Sequence, residues 1–210
     1  MPKIEPFEKY YNKYEDWFIK NKFAYQSELL AIRELLPEKG RGVEIGVGSG
    51  RFAEPLGIKY GIDPSGKMLE IARKRGIEVS LGVAENLPYS DESFDHALMV
   101  TTICFLDDIV KSLKEVYRIL RKKGIVVIGF VDKNSKVGKE YQKIKSKSDF
   151  YRVATFFSVE EVVEYLKKAG FSNFIFRQTI FDKLDKIKTI QPVKNGYGEG
   201  SFVVVSAQKL

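Results

Sequence analysis

Cysteine and histidine are almost missing from this chain of 210 residues, which has one of each, Cys104 and His96. A single cysteine excludes an internal disulfide, and together the two leave too few soft ligands for a structural zinc site, so we expect no metal. No apolar run approaches the roughly 18 residues that cross a bilayer, and residues 1–17 lack the apolar stretch of a secretory signal. We therefore expect a cytoplasmic protein that does not act in a membrane.

Basic residues exceed acidic ones, which gives a formal net charge of +7. Such an excess can mark a nucleic-acid partner, because clustered Lys and Arg displace counterions from phosphates. Here the lysines are spread along the chain and mixed with glutamate, as in residues 20–39, a distribution typical of solvated helix faces. We favour that second interpretation and expect no nucleic-acid partner.

Apolar runs alternate with amphipathic segments along most of the chain. The runs that we interpret as strands are 41–47, 59–63, 77–84, 96–102, 124–131, 171–180 and 200–209. Continuous apolar strands separated by helices indicate a parallel sheet covered on both faces. The last two runs have no helix between them, so we expect them to pair antiparallel at one edge. The sequence thus predicts an α/β, Rossmann-like, doubly wound sheet of seven mostly parallel strands with an antiparallel edge hairpin.

The glycine-rich segment 44–51, EIGVGSGR, directly follows the first predicted strand. Glycines at such a turn let the backbone approach a ligand, and the next helix start faces an anionic group. The dinucleotide fingerprint G-x-G-x-x-G fails here, because Gly46 and Gly48 are followed by Arg51 at the third glycine position. Arg51 and the upstream Glu44 therefore argue against a nicotinamide-dependent oxidoreductase.

This E-x-G-x-G-x-G string resembles the first motif of class I S-adenosylmethionine-dependent methyltransferases, and the resemblance extends over roughly residues 40–130. It implies that Gly46, Gly48 and Gly50 wrap the methionine part of S-adenosylmethionine. It also implies that Glu44 helps to neutralise the ammonium group of this cofactor. The resemblance implies that the protein is a methyltransferase enzyme.

Asp63, followed by Pro64, ends the second predicted strand, where the family places its ribose-binding acid. A carboxylate there can accept both ribose hydroxyls. The alternative is that Asp63 caps the next helix, a role that Ser65 fills equally well. We favour the ribose role.

Residues 82–100, GVAENLPYSDESFDHALMV, resemble the family segment that meets the adenine and then leads into the fourth strand. The resemblance implies adenine contacts from Ala84 and Glu85. It continues through every fixed position of the family's L-P-[FY]-x-[DE]-x-[ST]-F-D run, which is 87–95 here.

Thr101 and Thr102 end the fourth predicted strand, where the family's chain passes the methionine end of the cofactor. They are candidates for lining the site, or else ordinary β-branched strand residues. His96 lies at the amino end of the same strand, too far away to be a catalytic base. Cys104 follows Ile103 rather than proline, so the nucleophile motif of cytosine methyltransferases is absent, and we assign no catalytic residue.

We expect one domain over 1–210. It comprises an N-terminal helical cap (1–38), a cofactor-binding core (39–131), and a substrate-side insertion followed by a C-terminal helix and strands (132–210). Ser158 and Glu161 have the spacing of a capping box at the start of that last helix.

The methyl acceptor is expected to be a nitrogen or oxygen of a small molecule, bound by the N-terminal helices and segment 132–157. Tyr14, Trp17 and Tyr25 are the substrate-binding candidates on those helices, together with Thr102 after the fourth strand, although we favour a plain core stripe for the aromatics of the first helix. The open alternatives are an RNA or protein methyltransferase that docks through the Lys-rich 133–147 stretch, and a catalytically silent S-adenosylmethionine-binding module. No N-P-P-Y or D-P-P-Y string, which marks adenine methylation in nucleic acid, follows the fourth strand. The oligomeric state is not predicted.

Overall fold

The computed structural model describes residues 3–210, in which one mixed sheet runs through the centre of the protein. Its strands are β1 (Gly42–Ile45), β2 (Tyr60–Asp63), β3 (Glu78–Leu81), β4 (Phe94–Val100), β5 (Leu120–Val131), β6 (Phe171–Thr179), β7 (Lys194–Asn195) and β8 (Phe202–Lys209). Their order is β3-β2-β1-β4-β5-β8-β6-β7. The first five are parallel, and β8 pairs antiparallel with both β5 and β6. The Rossmann-like fold and its antiparallel edge are therefore confirmed.

The strand count differs from the predicted seven, because the described part of the sheet has eight strands. All seven predicted strands are present, and the additional one is β7, a two-residue edge strand. It pairs with β6 through Arg177 and Gln178. Two residues carry no hydrophobic alternation, so no sequence pattern marks such a strand.

Eight helices flank the sheet within the described residues. They are α1 (Glu5–Lys9), α2 (Tyr11–Lys20), α3 (Lys22–Arg33), α4 (Ala53–Leu56), α5 (Gly66–Lys74), α6 (Ile109–Ile119), α7 (Lys136–Ile144) and α8 (Val159–Lys168). The pattern of residues 7–36 predicts one or two amphipathic helices, and the structure has three in the N-terminal region, divided at Tyr10 and Asn21.

The amphipathic pattern of residues 107–122 predicts a helix closed by Lys122, Lys123 and Gly124, but helix α6 already ends at Ile119, so this predicted end is wrong. Leu120 already has extended backbone angles and pairs with Phe94 as the first residue of β5. Its side chain is fully buried. Burying Leu120 between strand and helix layers outweighs the helix propensity of the lysines that follow.

Side chains of the central strands alternate between two buried layers. Ala97 and Met99 of β4 face the cluster that contains α6 and α8, whereas Leu98 and Val100 face the cluster that contains α3 and α5. This alternation follows from the two-residue period of a strand. Both faces of the sheet are thus covered, and ligands have access at its ends.

Capping side chains fix where the flanking helices begin. Ser65 accepts a hydrogen bond from Met68 at the start of α5, and Ser158 forms the predicted capping box with Glu161 at α8. Because the helix starts follow the carboxyl ends of β1, β2 and β4, polar loop residues converge at this edge of the sheet. Among residues 3–210, no helix has the length and apolar character needed to cross a membrane.

Candidate active site

A cavity of about 420 Å³ opens at the carboxyl ends of β1, β2 and β4, within the size range of small-molecule sites. Ten of the residues predicted for the site line it: Tyr14, Trp17, Gly46, Gly48, Asp63, Pro64, Ala84, Glu85, Thr101 and Thr102. The remaining three, Glu44, Gly50 and Tyr25, are not among its lining residues.

Two glycines of the turn after β1 have left-handed backbone angles and close neighbours that disfavour a side chain. Gly46 has φ +72°, and a Cβ there would clash with the Thr102 side chain. Gly48 has φ +52°, and a Cβ would lie 3.2 Å from the Tyr14 hydroxyl. The turn is therefore pressed between β4 and helix α2, and its backbone faces the cavity.

Asp63 holds the glycine turn and also presents free acceptor sites to the cavity. Its carboxylate accepts hydrogen bonds from the backbone N–H groups of Gly48 at 2.9 Å and Ser65 at 2.8 Å. A carboxylate has about four lone-pair sites, so about two stay available to a ligand. Burial raises the pKa of Asp63 to about 6. Since Ser65 caps α5, the capping alternative for Asp63 does not apply.

Glu44 lies in β1, just below the glycine turn, with about 1% of its surface exposed. Burial raises its pKa well above the usual value, while the backbone N–H of Ala53 donates a hydrogen bond to it and opposes that shift. Its Oε2 atom is buried without a hydrogen-bond partner among the described residues. An unpartnered buried carboxyl oxygen has a capacity for one more donor.

Gly50 and Tyr25 contact other parts of the protein and do not line the cavity. A Cβ on Gly50 would clash with Ile77, so this glycine serves the contact between the turn and helix α5. Tyr25 donates its hydroxyl to the Arg51 carbonyl and packs edge-on against Phe52, with ring centroids 5.4 Å apart.

The carboxylate of Glu85 is already engaged by protein groups. It accepts hydrogen bonds from the backbone N–H groups of Asp107 at 3.0 Å and Asp108 at 3.2 Å. It therefore fixes the loop between β4 and α6 while lining the cavity beside Ala84.

Arg118 of α6 holds the run 87–95 by several hydrogen bonds. The guanidinium of Arg118 donates to the carbonyls of Leu87 and Tyr89 and to the carboxylate of Asp91. None of the residues 87–95 lines the cavity. Its residues hold the loop before β4 in shape, which positions Ala84 and Glu85.

The carboxyl end of β4 is strained at the cavity wall. Thr101 has φ +50°, a conformation that non-glycine residues seldom adopt and that is often found at functional sites. The hydroxyl of Thr102 bonds the Val100 carbonyl at 3.1 Å and contacts the Gly46 carbonyl at 3.4 Å. The β4 end and the glycine turn thus form one wall.

A partly buried ion-pair network attaches helix α2 to the glycine turn. Glu15 accepts hydrogen bonds from Arg51 and Arg75, each at 2.6 Å, and from the Ser49 hydroxyl. Burial alone would raise the pKa of Glu15, but the hydrogen bonds from Arg75, Ser49 and Arg51 outweigh it and lower the pKa. The network holds Tyr14 and Trp17, on the same helix, against the cavity.

Aromatic rings form the part of the cavity beyond the strand ends. We call this part the aromatic chamber; its rings are Phe7, Trp17, Phe105, Phe130, Tyr141, Phe150, Tyr151, Phe156 and Phe157. The N-terminal helices supply one side of the chamber, and residues 148–157 supply another.

These two sides are joined by three contacts, which we call the arch. Phe7 packs on Phe150 with ring centroids 5.5 Å apart. Lys13 pairs with Asp149 at 2.7 Å. A third contact joins Glu5 to Arg152 at 2.8 Å. The arch connects segments more than 130 residues apart beside the cavity, which Phe7, Lys13 and Phe150 line.

Comparison with known proteins identifies the family. The family described as "Methyltransferase domain" matches residues 43–128. A solved structure from Thermotoga maritima, named a SAM-dependent methyltransferase, possible histamine N-methyltransferase, is 56% identical; the match covers 99% of this chain and 100% of that one, with a TM-score of 0.97. The chain belongs to the S-adenosylmethionine-dependent methyltransferases.

Two further relatives of the methyltransferase match most of its length. An uncharacterized protein of Methanocaldococcus jannaschii is 47% identical over 204 residues, 97% of this chain and 98% of its own. The demethylmenaquinone methyltransferase of Thermotoga maritima is 33% identical over 168 residues, 67% of this chain and 72% of that enzyme. The predicted family, enzyme class and cofactor, S-adenosylmethionine, are thereby confirmed.

Neither His96 nor Cys104 is predicted from the sequence to be catalytic. His96 pairs with Gly42 at the amino ends of β4 and β1, and burial lowers its pKa. Cys104 lines the cavity, but burial raises the pKa of its thiol to about 12, which leaves very little thiolate at neutral pH. Within residues 3–210, no group of three or more His, Cys, Asp or Glu residues could hold a metal ion.

Glu28 is a cavity residue of the methyltransferase that the sequence analysis missed. It lies on α3 with 6% of its surface exposed and lines the cavity. The signal was present in the sequence, because the buried face of α3 follows the helical spacing 24, 27, 28, 31 and 32. A glutamate on that face is a buried carboxyl group.

Proposed function

We propose that this enzyme transfers the methyl group of S-adenosylmethionine to a nitrogen or oxygen of a small molecule held in the aromatic chamber. The observation that carries the proposal is the continuity of the cavity, which runs from Gly46 and Asp63 to the aromatic chamber. Donor and acceptor can therefore share one cavity.

The residues present fit the cofactor. Gly46 and Gly48 would hold its methionine part, and Asp63 would accept the ribose hydroxyls through its remaining lone pairs. Ala84 and the backbone of Glu85 would meet the adenine. The unpartnered Oε2 atom of Glu44 is suited to the ammonium group.

The bound cofactor supplies a sulfonium methyl group that is already activated. The chain then has to orient the acceptor and exclude water, tasks that can account for several kcal/mol of the barrier. The wall of Thr101 and Thr102 limits the acceptor's approach on one side. The aromatic rings and the arch exclude water on the other.

The size of the cavity favours a small molecule over RNA or protein as the acceptor, because about 420 Å³ lies within the range of small-molecule sites. Within the Lys-rich stretch suggested as a docking surface, Lys133 is paired with Glu161 at 2.7 Å. We therefore propose a small-molecule partner and no nucleic acid.

The relatives favour two kinds of acceptor. The Thermotoga maritima structure that is 56% identical is named a possible histamine N-methyltransferase, which favours nitrogen. The likeness to a demethylmenaquinone methyltransferase favours a second candidate, carbon methylation of a quinone-type ring, which the aromatic chamber would also accept. The two candidates differ in whether the acceptor carries a positive charge.

The test measures S-adenosylhomocysteine release with histamine, 2-phenylethylamine, a phenol and a hydroquinone as acceptors, and with bulk RNA for comparison. We expect turnover with a small molecule and none with RNA. Methylation of RNA with no small acceptor active would overturn the proposal.

A second measurement tests the cofactor residues directly, by calorimetry of S-adenosylhomocysteine binding. Asp63→Ala should lose about 1.5–3 kcal/mol of binding free energy, the contribution of hydrogen bonds to a charged group. Asp16→Ala, an exposed change on α2, is the matched control and should bind like wild type. Equal affinities of wild type and Asp63→Ala would exclude the ribose contact.

A further inference from the structure

Glu28 is a buried carboxyl group without a protein partner. Among residues 3–210, no hydrogen bond and no charged neighbour contributes to its pKa, which burial alone raises to about 8. Buried ionisable groups are normally paired, because they lose their hydration. A carboxyl group that is 94% buried yet faces a ligand cavity indicates that its partner is supplied by the ligand.

Aromatic residues line the cavity together with Glu28. Trp17, Tyr141 and Tyr151 are among them, and the rings of Tyr141 and Tyr151 pack with centroids 4.4 Å apart. Burial raises the pKa of Tyr141 to about 12 and raises that of Tyr151 further, so neither hydroxyl brings a negative charge. A buried carboxyl group that shares a cavity with several aromatic rings has the composition of a site for an organic cation.

Glu28 lines the same cavity as the residues that follow β4. Tyr151 and Cys104 are also lining residues, and Cys104 comes two residues after Thr102. An acceptor held at Glu28 therefore shares one cavity with the strand end at which the methyl group is expected.

We infer that Glu28 pairs with a protonated amino nitrogen of the acceptor, so that the substrate class is a small amine with an apolar or aromatic body. The inference rests on the proposed function and names its substrate class. It also separates the two candidate acceptors, because a hydroquinone has no cation to pair with Glu28.

The test is calorimetry on the enzyme saturated with S-adenosylhomocysteine, using 2-phenylethylamine, 2-phenylethanol and hydroquinone as probes. The first two share one body and differ only in the ammonium or hydroxyl group. The proteins compared are wild type, the isosteric Glu28→Gln, the shorter Glu28→Asp, and the control Glu164→Gln, an exposed change on α8. Binding of S-adenosylhomocysteine to each variant shows that it is folded.

We expect wild type to bind the amine at least 10-fold more tightly than the alcohol. Glu28→Gln should weaken amine binding by about 10- to 100-fold, the range of a hydrogen bond to a charged group, and leave alcohol binding unchanged. Glu28→Asp should lie between the two, and Glu164→Gln should match wild type.

The inference is overturned by equal binding of amine and alcohol, by amine binding that survives Glu28→Gln, by a preference for hydroquinone, or by no amine binding at millimolar concentration. These outcomes do not depend on turnover. Selective amine binding without any methylated product would instead count against the proposed function.

Discussion

Replacing Glu28 by glutamine should stabilise the ligand-free enzyme, and the gain should grow with pH. The folded protein holds the carboxyl proton more tightly than the unfolded chain, because burial raises the pKa from 4.5 to about 8. The penalty for ionising Glu28 is therefore absent below pH 4.5, develops between pH 4.5 and 8, and is complete above pH 8. Glutamine has nearly the same shape and carries no such penalty.

The magnitude follows from the two pKa values of Glu28. At about 1.4 kcal/mol for each pH unit between them, the complete penalty is about 5 kcal/mol. Roughly 1 kcal/mol of it is present at pH 5 and nearly all of it at pH 8.5. The stability difference between Glu28→Gln and wild type should therefore increase by about 4 kcal/mol between these pH values.

Urea unfolding of both proteins at pH 5, 7 and 8.5, without ligand, measures this difference. The value at pH 5 serves as an internal reference for packing, since residue 28 is then largely neutral in both folded proteins. A difference that stays constant with pH would show that Glu28 is not buried as an unpartnered carboxyl group. The amine-binding inference would lose its structural basis with it.

Three further predictions concern other parts of the site. Gly48→Ala should cost about 1–2 kcal/mol of stability, because its backbone is left-handed, and should also weaken S-adenosylhomocysteine binding. The control Gly57→Ala has a similar φ and open space around it, so it should lower stability alone. Equal affinities of the two variants for S-adenosylhomocysteine in calorimetry would contradict this. Glu15→Gln should destabilise the enzyme by about 1–3 kcal/mol in urea at pH 7, with the difference shrinking as pH falls below 4.5, while the exposed change Glu70→Gln should have almost no effect. Cys104 should react with iodoacetamide at pH 8 on the order of 1,000-fold more slowly than an exposed thiol, and rapid labelling seen by mass spectrometry would exclude its raised pKa.

The parts of the fold that could be predicted are those set by local patterns. Hydrophobic periodicity gave all seven of the longer strands, and hydrogen-bonding side chains at fixed spacing gave the Ser158–Glu161 capping box. The glycine turn and Asp63 could be placed because parallel strands end at one edge of the sheet. Each of these depends on neighbours within a few residues, or on a rule of the fold.

The parts that could not be predicted depend on contacts between distant segments. Helix α6 ends early because Leu120 is drawn into the sheet opposite Phe94. The Glu85 carboxylate is taken by the loop at 107–108, and Tyr25 is held by the Arg51 carbonyl rather than facing the cavity. Glu28 could be placed on the buried face of α3 from the helical spacing alone. That it lines a cavity could not be predicted, because Tyr141 and Tyr151, which line the same cavity, are more than 100 residues away in the sequence.

Arg51 carries a consequence for attempts to redesign this protein. At the position where a dinucleotide-binding turn has its third glycine, this chain has the arginine that fastens helix α2 through Glu15. Arg51→Gly would complete the nicotinamide fingerprint, yet it would remove one of the three hydrogen bonds that hold Glu15 on the helix that carries Tyr14 and Trp17. A change made to alter the cofactor-binding turn would therefore also loosen the attachment of a helix that lines the cavity.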